Sequence, residues 1–462
     1  MKKKFLVSFL AALAATALAL GFSACKTENS FGSLPETPGS EAPSPAPQPS
    51  PTPQPSPDPK PTPDPYPETD FQYEVKDGFV TITKYLNKTA TSVVIPKTIQ
   101  GSPVTSIGTS AFENCSSLTS ITIPDGVTSI GDSAFYGCRG LTSVTIPDSV
   151  TSIGDYAFYG CRGLTSVTIP DSVTSIGGRA FYDCRGLTSV TIGNSVTSIG
   201  WYTFSDCYKL VEVINNSSLK ITKGSYDNGS VARYALNVKN GGNSDIVNQN
   251  GYLFYTDNGT NYLLGYVGSA TDLELPANYN GNVYEIYKCA FYHCSGLTSI
   301  TIPGSVTSIG DSAFGGCSGL TSVTIPDSVT SISDSAFSGC ENLQYHEYDN
   351  ALYLGNDNNP YVALIQAKSQ DITNCTISDK CKVVDYSAFS GCTSLTSITI
   401  PDSVTSIGKR AFYDCNRLTS VTIGNGVTSI GERAFYDCSR LTSVTIGNGV
   451  TSIGERAFYD CS

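Results

Sequence analysis

The sequence predicts a β-rich solenoid with parallel strands, one per coil, short β-hairpin insertions and little α-helix. Cysteines recur every 23 residues, and a fixed period of this length is typical of stacked repeats. Apolar residues alternate as in a strand within each repeat, and hairpin patterns fill the interruptions of the period. The periodic cysteines form three runs: Cys115, Cys138, Cys161, Cys184 and Cys207; then Cys294, Cys317 and Cys340; then Cys392, Cys415, Cys438 and Cys461.

The strand of one repeat lies after its cysteine. In the unit that begins at Cys115, Ile121 and Ile123 alternate with Ser120 and Thr122. Because successive strand side chains point to opposite faces, the isoleucines are expected inside and the hydroxyl residues outside.

A turn and a short helical segment are expected after the strand. Pro124-Asp125 ends the strand, because this dipeptide favours a turn. Asp132 is expected to cap a short helical turn that carries Ala134 and Phe135 into the core.

The repeat unit Cys-x-x-Leu-Thr-Ser-Val-Thr-Ile-Pro-Asp-Ser-Val-Thr-Ser-Ile-Gly-Asp-x-Ala-Phe-x-x resembles the BspA-like leucine-rich repeat of bacterial surface proteins. The resemblance covers nearly all of residues 71–462 and makes the expected solenoid one of leucine-rich-repeat type. It implies a curved repeat domain with a role in adhesion to extracellular matrix protein, host cells or other bacteria.

The interruptions divide the repeat region into hairpin-led blocks. Hairpin patterns begin near Tyr73, Tyr252 and Ala351, and a degenerate strand is expected after each. These strands are Thr91–Pro96, Asp272–Pro276 and Ile372–Ile377. The blocks are predicted at 71–213, 251–345 and 346–462, with an irregular insertion at 214–250.

The segment 208–250, which contains this insertion, is the least regular part of the domain. Residues Val231–Val238 have the pattern of a short helix, and the surrounding Asn, Gly and Ser predict exposed loops. Insertions in repeat proteins often carry specificity.

The third block ends on two identical 23-residue units, Arg417–Ser439 and Arg440–Ser462, without a polar cap. This pattern indicates either a recent duplication or a truncated block.

The N-terminal region predicts export and lipid anchoring. Residues 1–24 combine three lysines with a short apolar stretch, which is typical of a signal peptide. Phe22-Ser23-Ala24-Cys25 resembles a bacterial lipobox, and this resemblance implies that Cys25 is lipidated. An ordinary secretory signal is the alternative.

Residues 25–70 are predicted to be a disordered linker, with proline at every second position from Pro43 to Pro67. Such a segment favours polyproline II and would hold the repeat domain about 78 Å from an anchor. A passive linker remains the alternative.

The composition argues against several classes of partner and chemistry. A net charge of −12 disfavours nucleic acid and anionic membrane surfaces, so membrane contact is expected through the lipid anchor only. The chain has two histidines, His293 and His346, without a recurring acidic or nucleophilic partner. We therefore expect no enzyme activity, no cofactor and no metal site.

The sixteen cysteines are predicted to be mostly buried thiols. Equivalent positions in stacked coils lie about 4.8 Å apart with parallel side chains, whereas a disulfide needs Cβ atoms near 3.8 Å that point together. Counting back from Cys392 places Cys375 and Cys381 on core positions. Cys289 falls on the position of Ser133 and is expected to be the most reactive thiol.

Tyrosine and arginine form the first candidate binding surface, because these residue types dominate binding hot spots. The predicted residues are Tyr136, Arg139, Tyr159, Arg162, Tyr182, Arg185, Trp201, Tyr202, Tyr413, Arg417 and Tyr436. The outward hydroxyls of the strand face form the alternative surface, although such residues also simply stabilise an exposed sheet. They include Ser143, Thr145, Ser166, Thr168, Ser189 and Thr191.

The sequence therefore predicts a lipid-anchored protein of the bacterial outer membrane or cell surface that acts as an adhesin or protein-interaction module. Its expected partner is an extracellular or host protein, or another bacterial surface. A structural envelope protein without a specific ligand and a glycan-binding surface are the alternatives.

Overall fold

A computed structural model describes residues 68–461, which form a β-solenoid almost without helix. This confirms the predicted fold class. The predicted signal peptide, the predicted lipidation site Cys25 and the proline-rich segment lie outside the described residues. Three large core clusters run from Phe71 to Ala235, from Phe254 to Val383 and from Ala351 to Ala457. A smaller cluster joins Val211 of the first block to the hairpin of the second.

Each of the three blocks opens with the predicted antiparallel hairpin. The hairpins pair Phe71–Lys76 with Phe79–Tyr85, Tyr252–Asp257 with Thr260–Tyr266, and Ala351–Leu354 with Ala363–Ala367. A further antiparallel strand precedes the second and third hairpins, at Val247–Gln249 and His346–Tyr348.

In the regular coils the major strand has a Ser-Val-Thr or Ser-Ile-Thr pattern and pairs in parallel with its equivalent 23 residues away. Its apolar residues are mostly buried and its hydroxyl residues mostly exposed, as the alternation predicts, except in the last strand, whose apolar residues are exposed. The major strands are Ser92–Val94, Ser120–Thr122, Ser143–Thr145, Ser166–Ile169, Ser189–Ile192, Glu212–Asn215, Asn237–Lys239, Asp272–Glu274, Ser299–Thr301, Ser322–Thr324, Ser397–Ile400, Ser420–Ile423 and Ser443–Ile446.

A second, mostly two-residue strand adds another parallel sheet, which continues directly from the hairpin of each block. These minor strands are Ser102–Ile107, Ser129–Ile130, Ser152–Ile153, Ser175–Ile176, Ser198–Ile199, Tyr284–Ile286, Val306–Ile309, Ser331–Ile332, Val383–Val384, Ser406–Ile407, Ser429–Ile430 and Ser452–Ile453. Glu68–Asp70 forms one 3-10 turn, Asp227–Ser230 one kinked helical turn, and Thr98–Ile99 a short antiparallel strand.

The prediction of a helical turn around Ala134 and Phe135 is wrong, although both side chains are buried as predicted. Ser133 and Gly137 have φ values of 55° and 70°, which interrupt any right-handed helix. The backbone N–H of Phe135 instead donates to the carbonyl of Ala157 in the next coil, at 2.7 Å. The turn is therefore held by its neighbour.

Asp132 does not cap its own turn. Its carboxylate accepts the backbone N–H of Asp155 in the next coil at 2.9 Å, and Asp155 in turn accepts that of Gly178 at 2.6 Å. The aspartate column thus links successive coils, where the sequence predicted a local cap.

Phenylalanine rings stack through the core from coil to coil. The centroids of Phe135 and Phe158 lie 5.0 Å apart, and those of Phe158 and Phe181 lie 5.1 Å apart with the rings nearly parallel. Equivalent stacks continue through the second and third blocks with spacings of 4.9 to 5.3 Å.

The periodic cysteines have a bonding role that their spacing did not reveal. The thiol of Cys161 donates to the backbone carbonyl of Phe135 at 3.3 Å, and that of Cys184 to Phe158 at 3.2 Å. The same contact recurs at Cys138, Cys207, Cys317, Cys340, Cys415, Cys438 and Cys461. Each thiol therefore bridges two coils while filling a core position.

All fifteen cysteines within 68–461 are free thiols. Cys381 is fully buried, as its core position predicts, whereas Cys375 is half-buried. Cys289 is half-buried as well, and burial raises the pKa of its thiol.

Two local predictions between the regular coils are wrong. No strand forms at Ile372–Ile377, where the carboxylate of Asp349 accepts the backbone N–H of Thr376. No helix forms at Val231–Val238; Val231, Ala232 and Ala235 pack into the core of the first block, and the segment ends in a strand.

Buried Glu212 anchors the segment after Val231–Val238. The Glu212 carboxylate pairs with the Lys239 ammonium at 2.9 Å and accepts a hydrogen bond from the Ser244 hydroxyl. The segment thereby adds the strand Asn237–Lys239 to the first block's sheet.

An ionisable group lies at the junction with the third block. Asp385 occupies the coil position that Gly131 and Gly154 occupy elsewhere, and it is 4% exposed. Burial raises the pKa of its carboxyl to about 8, although the backbone N–H of Tyr386 donates to it at 2.7 Å. The negative charge of the Asp334 carboxylate also raises this pKa.

We predict that Asp385→Asn stabilises the protein at pH 8 relative to the wild type, with little difference at pH 4. The folded pKa lies above the unfolded value of about 3.9, so the wild type loses stability as pH rises from about 4 to about 8. Thermal melts of both proteins across this range measure the difference. The exposed control Asp125→Asn should follow the wild type, and an Asp385→Asn difference that does not grow with pH would contradict the assignment.

Candidate functional site

Three tyrosines stack on the outer surface of the first block. Each of Tyr136, Tyr159 and Tyr182 lies two residues before one of the periodic cysteines, which we call the ladder cysteines. The coil period therefore superposes the three rings. The ring centroids are 4.7 Å apart between Tyr136 and Tyr159 and 5.1 Å apart between Tyr159 and Tyr182. The rings thus form a continuous aromatic surface.

A second column stands beside these rings, at the left-handed position of each turn. Tyr156, Arg179 and Tyr202 have φ values of 58°, 54° and 55°. The Arg179 guanidinium lies 5.6 Å from the ring centroids of both Tyr156 and Tyr202. It also donates to the Tyr156 hydroxyl at 2.6 Å, so cation–π contacts and a hydrogen bond order this column.

The irregular segment closes one end of the surface. Arg233 lies 4.7 Å from the ring centroid of Tyr226 and 4.8 Å from that of Tyr234. The Phe204 N–H donates to the carbonyl of Gly229 at 2.8 Å, which ties the segment to the last regular coil. A Cβ on Gly229 would lie 2.7 Å from the Gly200 carbonyl oxygen, so this close approach requires glycine.

Together these residues enclose a cavity of about 540 Å³, which we call the tyrosine groove. Its lining combines six tyrosines and two arginines with a few small polar residues. The groove is lined by Tyr136, Tyr156, Tyr159, Arg179, Tyr182, Tyr202, Ser205, Asp206, Tyr226, Ser230 and Arg233. Trp201 lies beside it with 84% of its surface exposed, in an adjoining cavity that shares Tyr156, Arg179 and Tyr202.

Hydrogen bonding and burial raise the pKa values of two tyrosines in the groove. The hydrogen bond with the Asp206 carboxylate, followed by burial, raises the pKa of Tyr182 to about 12. Burial, reinforced by Tyr136 and Asp183, raises the pKa of Tyr159. Both hydroxyls therefore remain protonated at neutral pH. The Tyr182 hydroxyl donates its proton to the Asp206 carboxylate, which fixes that ring in the groove.

The structure separates the predicted arginines from the predicted tyrosines. Arg139, Arg162 and Arg185 follow the ladder cysteines and line a different cavity, at the junction with the second block. Their spacing in the sequence matched that of the tyrosines, but the chain turns at the cysteine between them.

The predicted residues of the third block form their own column. The rings of Tyr413 and Tyr436 stack at 5.2 Å, and Arg433 lies 6.0 Å from the Tyr436 centroid. Arg417 is exposed and is not part of this stack.

Sequence reasoning missed Tyr156, Arg179, Tyr226 and Arg233. The first two share a 23-residue position with Tyr202, so comparing every repeat position could have found them. Tyr226 and Arg233 belong to the irregular segment and carry no periodic signal.

The alternative strand surface is exposed at Ser143, Thr145, Ser166 and Thr168. It changes toward the end of the first block, where Ser189 is buried and Thr191 half-buried. The hydroxyl array therefore does not continue unchanged along the strand face.

Within residues 68–461 no three His, Cys, Asp or Glu side chains are grouped so that they could hold a metal ion. Across that same stretch no helix combines the length and hydrophobicity needed to cross a membrane.

The family model described as the BspA type leucine rich repeat region matches residues 85–232, 265–357 and 367–462, which is more than half of the chain. A search of the curated proteins found no match.

Several solved bacterial leucine-rich repeat structures are similar to the chain. A protein of T. pallidum is 25% identical, with 61% of this chain and 91% of that chain covered and a TM-score of 0.31. A protein of Bacteroides ovatus is 28% identical, with 85% and 91% covered and a TM-score of 0.29. A protein of Faecalibacterium prausnitzii, described as a leucine rich cell surface protein, is 26% identical, with 87% and 99% covered and a TM-score of 0.27.

Proposed function

Because the chain belongs to the BspA-type leucine-rich repeat family, we propose that it is a surface-displayed binding module that recognises a protein partner through the tyrosine groove. The partner is an extracellular or host protein, or a protein on another bacterial surface, and the biological role is adhesion. A leucine-rich repeat protein of bacterial surface type is compatible with such a module.

The convergence of six tyrosines and two arginines on one cavity carries this proposal. Tyrosine and arginine dominate binding hot spots because they bury a large area while still forming hydrogen bonds. Stacking and cation–π contacts already order these side chains, so the groove loses less side-chain entropy when a partner binds. The strand face instead offers small hydroxyl residues, which rarely act as hot spots.

The exposed Trp201 extends the surface beyond the groove. It belongs to the same left-handed turn as Tyr202, and with Arg179 these residues line the adjoining cavity. A partner that fills the groove would therefore cover an exposed indole as well, and large apolar side chains exposed beside a cavity often mark protein contacts.

We propose further that Cys25 carries a lipid anchor and that the proline-rich linker holds the repeat domain away from the membrane. The lipobox-like Phe22-Ser23-Ala24-Cys25 supports the anchor, and the alternating prolines support a stiff spacer. This arrangement would place the groove within reach of soluble proteins and of other cells.

We predict that Tyr159→Ser and Tyr202→Ser each weaken partner binding at least tenfold, because a hot-spot side chain typically contributes more than about 1.4 kcal/mol. Serine is compatible with the coil at the position of Tyr159, since Ser205 and Ser338 occupy it elsewhere. Binding to immobilised matrix proteins and to intact cells measures the effect.

Tyr459→Ser is the matched control, because Tyr459 holds the same coil position in the third block. It should bind like the wild type. Equal losses in all three variants, or a wild-type chain that binds no protein or cell in the panel, would contradict the proposal.

We predict that Cys25→Ser abolishes incorporation of a fatty-acid label and moves the protein from the detergent phase to the aqueous phase, since lipidation requires the thiol of Cys25. Metabolic labelling and phase partition measure the change. The neighbouring substitution Ser23→Ala serves as the control. Unchanged labelling of Cys25→Ser would refute the anchor.

A further inference from the structure

A second cavity, of about 320 Å³, lies at the junction of the first and second blocks. One wall consists of Arg139, Arg162 and Arg185, which occupy the same position in three successive coils. Lys209 ends this wall, and Tyr292 and His293 of the second block face it. We call this cavity the arginine cleft.

The cations of the arginine cleft are not balanced by the protein. The Asp183 carboxylate forms an ion pair with the Arg162 guanidinium at 2.7 Å and a second one with Arg185. One carboxylate therefore pairs with two arginines. Arg139 has no ion pair anywhere in residues 68–461. Lys209 donates to the Ala290 carbonyl. Four cations thus share one carboxylate in a chain whose net charge is −12.

The pKa values of His293 and Lys209 are both lowered by burial, and that of His293 is lowered by positive charge as well. Burial, together with nearby Arg185 and Arg162, lowers the pKa of His293. Burial also lowers the pKa of the Lys209 amine. Positive charges that lie at successive coil positions repel one another, and their repulsion is strongest where water is excluded. An anion in the cleft would relieve this repulsion.

The cleft is shaped for a small ligand. Exposure decreases along the wall, from exposed Arg139 to half-buried Arg162 and Arg185, so the cleft deepens toward the second block. Arg185 is fixed by the Tyr292 ring, with 5.1 Å between its guanidinium carbon and the ring centroid. The opposite wall, Leu264 to Gly268, is mostly apolar.

From these observations we infer that the arginine cleft binds an oxyanion, carboxylate or sulfate, carried by a ligand about the size of a monosaccharide. Arginine donates paired hydrogen bonds to both anions, and Arg139 has its whole guanidinium available for this. The cavity volume falls within the range of small-molecule sites, about 300–1,000 Å³. This site is separate from the tyrosine groove and does not rest on the proposed adhesion function.

Isothermal titration of the full chain tests the inference with four probes: glucuronate, N-acetylglucosamine 6-sulfate, inorganic sulfate and neutral N-acetylglucosamine. At least one charged sugar should bind tenfold or more tightly than the neutral sugar, and the affinity should fall as NaCl rises. The two charged sugars distinguish carboxylate from sulfate. Binding of inorganic sulfate alone, or equal binding of the neutral sugar, would overturn the inference.

Two substitutions locate the binding site. Arg139→Gln should weaken binding about tenfold without disturbing the fold, because Arg139 makes no ion pair within the described residues. Lys209→Gly should also weaken binding, and Gly140, Gly163 and Gly186 show that the coil accepts glycine there. This substitution also removes the hydrogen bond to the Ala290 carbonyl, so its melting temperature is compared with that of the wild type.

Arg440→Gln is the matched control, because Arg440 holds the position of Lys209 in the third block. Its affinity should equal that of the wild type. Wild-type affinity in both Arg139→Gln and Lys209→Gly would overturn the assignment. Melting curves report whether either variant alters the fold.

Discussion

The structure depends on one constraint: each coil must place its strands and core side chains directly beside the equivalent groups of the neighbouring coil. Parallel pairing of major and minor strands fixes the spacing, and the phenylalanine rings stack at about 5 Å as a result. Within each run, the thiol of every periodic cysteine after the first then donates to the phenylalanine carbonyl of the preceding coil, as Cys161 does to Phe135. A stacked aromatic pair adds about 1 kcal/mol beyond its burial. The bond from a thiol adds less, because the S–H group is a weak donor. Because these contacts repeat along each block, their summed contribution to the free energy of folding is large.

The same constraint shapes both surfaces. Because the core repeats every 23 residues, any outward position forms a straight column of side chains. Tyrosine in such a column stacks and forms the tyrosine groove, whereas arginine in the neighbouring column accumulates charge in the arginine cleft. Each cavity is completed by an irregular part of the chain: the segment around Tyr226 closes the groove, and the second hairpin closes the cleft. The breaks in the repeat therefore convert periodic columns into defined sites.

The fold could be predicted from the sequence, because period and alternation are properties of the core. The inward positions of Ile121 and Phe135 and all three hairpins are confirmed on that basis. Contacts between coils could not be predicted, because they depend on which groups of the neighbouring coil, about 23 residues away in the sequence, lie opposite. Asp132 bonds the next coil for this reason, and left-handed residues such as Ser133 replace the expected helical turn. The candidate site was predicted only in part: the tyrosine column was named, but its separation from Arg139 and Arg162 depends on the chain's path around the cysteine.

Thiol reactivity of the native chain tests the central constraint most directly. Eleven of the fifteen described cysteines are buried, and Cys289, Cys294, Cys375 and Cys461 are half-buried. Alkylation of the folded protein followed by mass spectrometry should modify only these four within residues 68–461, with Cys289 the fastest. The buried thiols should react only after denaturation. Rapid modification of Cys161 or Cys184 in the folded chain, or disulfides between ladder cysteines, would contradict a core built on stacked rings and bonded thiols.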